Sequence, residues 1–116
     1  MTPTARSLAH LRELDWAAQV VEKWNPWSKR REDFFGIIDI LAVDPDHGIC
    51  GIQATSGTNH SARVAKAREL LASDTDNGKR LRAFVKWHPL VVWSWAKRGG
   101  RGKRKTWTLR KERVDG

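Results

Sequence analysis

The chain has 116 residues and 40% hydrophobic content, enough for one domain with one core and too little for two. Its 22 Lys and Arg against 13 Asp and Glu give a formal charge of +9, a balance that favours a polyanionic partner, nucleic acid first. No apolar run reaches the length of a membrane span, the N-terminal residues lack the apolar centre of a signal peptide, and a lone Cys50 can form neither an intrachain disulfide nor a cysteine zinc cluster, so a cytoplasmic, membrane-free protein is expected.

Leu8, Leu11 and Leu14 fall at helical spacing, which predicts a helix from Thr4 to Leu14 with Thr4 or Ser7 capping its start. Trp16 to Trp24 reads as a strand, because Asp15 can break the helix and Val20-Val21 is β-branched, although continued helix also fits. Asn25 to Asp33 reads as a polar loop. Phe35 to Val43 and Ile49 to Thr55 are apolar strands joined by the turn Asp44-Pro45-Asp46-His47-Gly48. A turn symmetric about Asp46 sets Val43 against Ile49 and Asp39 against Gln53, with Thr55 on the Gln53 side of its strand. Ser56 to Asn59 is a turn that leads into a helix from His60 to Ala72. Ser73 to Asn77 interrupts, and Gly78 to Trp87 forms a shorter helix with Leu81, Phe84 and Val85 inward, ending before Pro89. Leu90 to Ala96 is a strand, Lys97 to Lys105 a Gly-rich basic turn, and Thr106 to Val114 a final strand. Symmetry about Arg101 would pair Trp95 with Trp107 and Trp93 with Leu109.

Two features point to chemistry. Asp39 is a carboxylate set in an apolar strand, where an unpaired charge is costly; a bound cation is the expected compensation. From Lys97 onward there are nine basic residues against two acidic ones, Glu112 and Asp115. Such density suits phosphate backbone. The remaining candidates are weaker. His47 lies in a turn and is expected to be exposed. His60, near a helix start, is either structural or placed to touch a phosphate. His88 before Pro89 reads as structural, Asp44 and Asp46 as ordinary turn residues, and Cys50 lacks a His partner. Trp93, Trp95 and Trp107 read as packed, whereas Trp24 and Trp27, beside Asn25-Pro26, are candidates for contacting DNA or a second subunit.

The order α-β-β-β-α-β, with Asp39 on the second strand and Gln53-Ala54-Thr55 on the third, resembles the PD-(D/E)XK nuclease superfamily, and most nearly its small phage and archaeal Holliday junction resolvases. The resemblance covers about Ala5 to Ala96. It implies an α/β, restriction-endonuclease-like αβββαβ core with a mixed central sheet flanked by helices, in a single domain over 1–116 with a basic hairpin at 90–114. It also implies a metal-dependent, structure-selective DNA endonuclease, using Mg2+ or Mn2+ on branched DNA and working as a homodimer, because two symmetric strands must be cut. By the same resemblance Glu13 matches the helical Glu, Asp39 the strand Asp, and Gln53-Ala54-Thr55 the E-x-K element, making Glu13, Asp39 and Gln53 the metal ligands. Gln53 and Thr55 depart from that element, and Lys66, on the following helix, is the candidate to replace its lysine, with Arg63 one turn earlier sharing the task. Lys29, Arg30, Arg31 and the series Lys97, Arg98, Arg101, Lys103, Arg104 and Lys105 are expected to hold phosphates. The alternatives are a catalytically inactive DNA-binding protein of the same fold and a basic RNA-binding protein.

Overall fold

A computed structural model describes residues 1–114; Asp115 lies outside them. The order is α1 (Pro3–Glu13), β1 (Ala17–Val20), β2 (Lys23–Asn25), β3 (Arg30–Glu32), β4 (Ile40–Asp44), β5 (Gly48–Ser56), a 3₁₀ turn (Gly57–Asn59), α2 (His60–Leu71), α3 (Asp76–Val85), β6 (Leu90–Arg98) and β7 (Thr106–Arg113). The protein is thus α/β. One mixed sheet runs β1-β4-β5-β6-β7, antiparallel except for the parallel β5–β6 pair, and β2–β3 forms a separate two-stranded ribbon. No described helix is long and apolar enough to cross a membrane.

Period-two alternation along the strands builds two cores, one on each face of the sheet. Ile40, Ala42, Cys50, Ile52 and Trp93 meet Leu11 of α1 on one face. Ile38, Leu90, Val92 and Val114 meet Val64, Ala67 and Leu81 of α2 and α3 on the other. The inward residues of α2 recur at 60, 64 and 67, as a helix face requires. Helices α2 and α3 approach closely at Gly78, where an added Cβ would stand 2.7 Å from the carbonyl oxygens of Leu70 and Ser73.

Helix α1 starts earlier than the Leu spacing indicates. Thr2 is the cap, its Oγ1 accepting from Ala5 N–H at 3.1 Å, because Pro3 suits the first helical turn, where its missing N–H costs nothing. Ser7 caps nothing: it donates to Pro3 O at 2.8 Å and accepts from Trp95 Nε1–H at 2.9 Å, tying α1 to the sheet.

The β4–β5 turn has the expected register, with Val43 against Ile49. The strands themselves begin later than expected on one side: 34–38 is a tight reversal, with Phe34 bridged to Ile38 and both Phe35 (φ 52°) and Gly36 (φ 82°) left-handed. The polar segment 25–33 is not loop throughout; it supplies half of the β2–β3 ribbon. The last hairpin is shifted by two residues on β7 from the expected register, so that Trp95 opposes Leu109 and Trp93 opposes Lys111. Its centre is Gly102, not Arg101. Lys103 N–H closes a turn on Gly100 O, and φ of +75° at Gly102 supplies the left-handed residue that such a turn needs.

Candidate metal centre

Three chain reversals bring four polar side chains together. The register of β2–β3, Lys23 against Glu32, extends by one pair to Glu22 and Asp33. The Phe34–Ile38 bridge extends to Asp33 and Asp39. The β4–β5 register, Ile40 against Ile52, extends to Asp39 and Gln53. Val21 N–H also donates to Asp39 O at 2.8 Å, which holds the start of the ribbon beside β4. As a result Glu22, Asp33 and Asp39 each offer a carboxylate oxygen within 4.8 Å of the others.

Asp39 and Gln53 are both 4% exposed, on the sheet face covered by α2 and α3. Asp39 Oδ2 accepts from Gln53 Nε2 at 2.5 Å and from Ala54 N–H at 2.9 Å. Burial, together with a hydrogen bond and charge repulsion from Asp33, raises the Asp39 pKa to about 8, against the opposing pull of the Ala54 N–H. Gln53 Nε2 also reaches Ala54 O at 3.2 Å, whereas Gln53 Oε1 is buried with no hydrogen-bond partner. The site is costly in two ways: Gln53 Oε1 is an unmet buried acceptor, and Asp39 is crowded by the carboxylate of Asp33. A cation held by these oxygens would answer both. All the donors are hard oxygens, the ligand type of magnesium and manganese.

Of the expected metal ligands, Asp39 and Gln53 are neighbours here. Glu13 is elsewhere. It ends α1, which packs on the opposite face of the sheet, and its exposed carboxylate lies 3.8 Å from His10 Nδ1, outside the carboxylate cluster. Glu22 and Asp33, absent from the sequence reading, stand with Asp39 instead. The only sequence signal for them is the symmetric spacing of acids about the Pro26–Lys29 and Gly36 reversals.

A groove of about 520 Å³ opens beside the cluster, between the β2–β3 ribbon and the α2–α3 pair. Asp33 lies on its wall with Arg30 and Arg31 from β3, Lys66 from α2, and Arg80 from α3. Arg31 Nη1 donates to Glu22 Oε1 at 3.0 Å. Thr55 is buried in β5 opposite Ser94, and Lys66 is exposed toward the groove. Arg63 is half-buried and Lys29 exposed, and neither lines the groove. The basic turn follows Arg98 at the far end of β6, whereas Gln53 pairs with Val92 near its start, so roughly 20 Å of strand separates the turn from Gln53. Lys97, Arg98, Arg101, Lys103, Arg104 and Lys105 are all exposed there.

The remaining histidines have internal partners. His60 is 1% exposed; its Nδ1 lies 2.6 Å from Ser94 Oγ and its Nε2 3.0 Å from Glu112 Oε1. That bond is the main cause holding the Glu112 pKa below its ordinary value. His60 therefore faces away from solvent and any phosphate. His47 is exposed but sits 2.9 Å from Asp44 Oδ2. Burial raises the Cys50 pKa, leaving the thiol inert at neutral pH.

No known family, curated protein or solved structure matches the chain.

Proposed function

We propose that the protein is a divalent-cation-dependent nuclease that hydrolyses phosphodiester bonds in DNA, with a restriction-endonuclease-like fold. The observation that carries this reading is the orphaned, buried Gln53 Oε1 beside the clustered carboxylates of Glu22, Asp33 and Asp39. The basic groove that opens next to them supports it. Those four residues would hold Mg2+ or Mn2+. A cation in such a site supplies charge neutralisation on the transferring phosphoryl group and a water nucleophile active at neutral pH.

Protein side chains do the rest. Arg30 and Arg80, on opposite walls of the groove, grip phosphates on either side of the bond to be cut. Lys66 supplies the positive charge that Thr55 cannot, stabilising the charge that develops on the phosphate. The Lys97–Lys105 turn binds backbone further along the duplex. Branched DNA with symmetric strands to cut is the favoured substrate, and it carries with it a two-fold dimer.

The inactive DNA-binding alternative rests on two departures in β5: Gln53 stands where an acid is expected and Thr55 where a lysine is. One experiment separates the two readings. Purified protein is incubated with four-way junction, flap and linear duplex DNA in Mg2+, Mn2+ or EDTA. Cation-dependent strand scission is expected, strongest on branched DNA. Binding to all three without scission in either metal would leave only the inactive reading.

A further inference from the structure

The ribbon that contributes Glu22 and Asp33 carries something else at its other end. Trp27 is 94% exposed and Trp24 60% exposed, two of the largest apolar side chains in the protein left in water. Isolated exposed apolar residues are common, but a tryptophan at the tip of a rigid hairpin is not explained by packing.

The hairpin is locked in shape. Asn25 Oδ1 accepts from Trp27 N–H at 2.9 Å and from Ser28 N–H at 3.3 Å, an Asx turn that fixes the loop. Asn25 Nδ2 donates across the ribbon to Glu32 Oε1 at 2.8 Å. Lys29 takes a left-handed conformation, φ 54°, to close the loop. Trp27 is therefore held out to solvent by its own backbone, with little ordering left to be lost on binding. Trp24 lies opposite Arg31 in the ribbon, and Lys23, Lys29 and Arg30 are exposed around them. Of the acids on the ribbon, Glu32 is engaged by Asn25 and Glu22 by Arg31. Aromatic faces ringed by cations suit nucleobases flanked by phosphates. They suit a second apolar protein surface poorly.

Deepening the nuclease reading above, on which its account of substrate choice rests, we infer that Trp27, with Trp24 behind it, is a stacking wedge for unpaired or unstacked bases. It makes DNA with a branch point, gap or single-stranded flank the preferred substrate over continuous duplex. About five residues of extended chain separate the Glu22 pair from the loop tip, or roughly 16 Å. That is less than half a turn of duplex DNA, so the wedge and the carboxylates engage one DNA molecule near one discontinuity.

The test uses full-length protein in EDTA, where cleavage cannot intrude. Affinity is measured for a four-way junction carrying 2-aminopurine at the branch and for a blunt duplex of equal length and sequence. Trp27→Ala is expected to weaken junction binding about tenfold and to change duplex binding less than about twofold. It should also abolish the 2-aminopurine fluorescence change seen with the wild type. Trp27→Phe should restore most of both. Because Trp27 makes almost no packing contacts, the substitution should not unfold the protein, and far-UV circular dichroism checks that. Equal losses on both DNAs, or none, would overturn the wedge. So would a shift from dimer to monomer on Trp27→Ala in light scattering, since the residue would then belong to a protein interface. If the wild type prefers junctions through Trp27 but cuts nothing in Mn2+, the wedge stands and the nuclease reading falls. If it cuts, but Trp27→Ala leaves junction preference intact, only the wedge falls.

Discussion

Replacing Asp39 by Asn should make the cation-free protein more stable at neutral pH, although a buried, hydrogen-bonded residue is being changed. In the native state the Asp39 pKa is raised from 3.8 to about 8. Between those values the folded protein keeps a proton that the unfolded chain releases, so stability falls as pH rises through that window and levels off above about pH 8. Each pH unit is worth about 1.4 kcal/mol, so at pH 7 the deficit is about 4 kcal/mol relative to a permanently neutral group. Asn is such a group. Its Oδ1 can accept from Gln53 Nε2 and Ala54 N–H as Asp39 Oδ2 does, and its amide N–H can donate toward Asp33. Asp39→Asn should therefore match the wild type near pH 4 and exceed it by a few kcal/mol at pH 7, on the order of 10–20 °C in Tm for a chain of this size. Titrating groups outside the set that shifts Asp39, such as Glu112 and Asp44, cancel in the difference between the two proteins. Urea and thermal unfolding in EDTA from pH 4 to 9 measure it. Mn2+ should close the gap by stabilising the wild type and leaving Asp39→Asn unmoved. A mutant less stable at every pH, or a difference that does not change with pH, would refute both the raised pKa and the cation deficit inferred from it.

Lys66→Ala should lower single-turnover cleavage at least tenfold while changing gel-shift affinity less than about threefold; equal losses would make Lys66 a phosphate contact only. Neutralising Arg101, Lys103, Arg104 and Lys105 together should weaken binding to every DNA and reduce the slope of log affinity against log salt by up to about four; an unchanged slope would mean that the turn points away from the DNA. Gly78→Ala should cost about 1–3 kcal/mol in urea unfolding, because the new Cβ meets two backbone carbonyls that cannot move aside; a neutral substitution would show that α3 can shift away from α2.

Period-two alternation and a five-residue turn were enough to put Asp39 beside Gln53, because apolar strands announce both their faces and their register. Glu22 and Asp33 were hidden for the opposite reason. Strands of three residues made of Lys, Trp, Asn, Arg and Glu have no apolar alternation, and their pairing is set by the Asx turn at Asn25. Glu13 was misplaced because the Leu8-Leu11-Leu14 stripe tells which side of α1 is buried, not which face of the sheet it covers. The last hairpin slipped by two residues because its register follows from φ at Gly102, which competes in the sequence with three other nearby candidates for the turn centre, Gly99, Gly100 and Arg101. Lys66 follows from the family resemblance, which asks for a lysine that Thr55 is not, together with its place two turns into α2; its position on the groove wall depends on how α2 packs, which no local pattern encodes.

The buried imidazole of His60 has a consequence for anyone wishing to trim this protein. It links the first turn of α2, the helix of Lys66, to Ser94 in β6 and Glu112 in β7, while Arg68, two turns along the same helix, reaches Glu112 at 3.6 Å. Two residues later Val114 fills the core between the sheet and α2, its N–H donating to Leu90 O. The basic C-terminal segment thus resembles a detachable affinity tail only in composition. Its loop can be rewritten residue by residue, but its returning strand is a keystone of the helix above it. A chain stopped at Lys105 would lose the carboxylate that anchors His60, and with it the seating of α2, before any question of DNA arose.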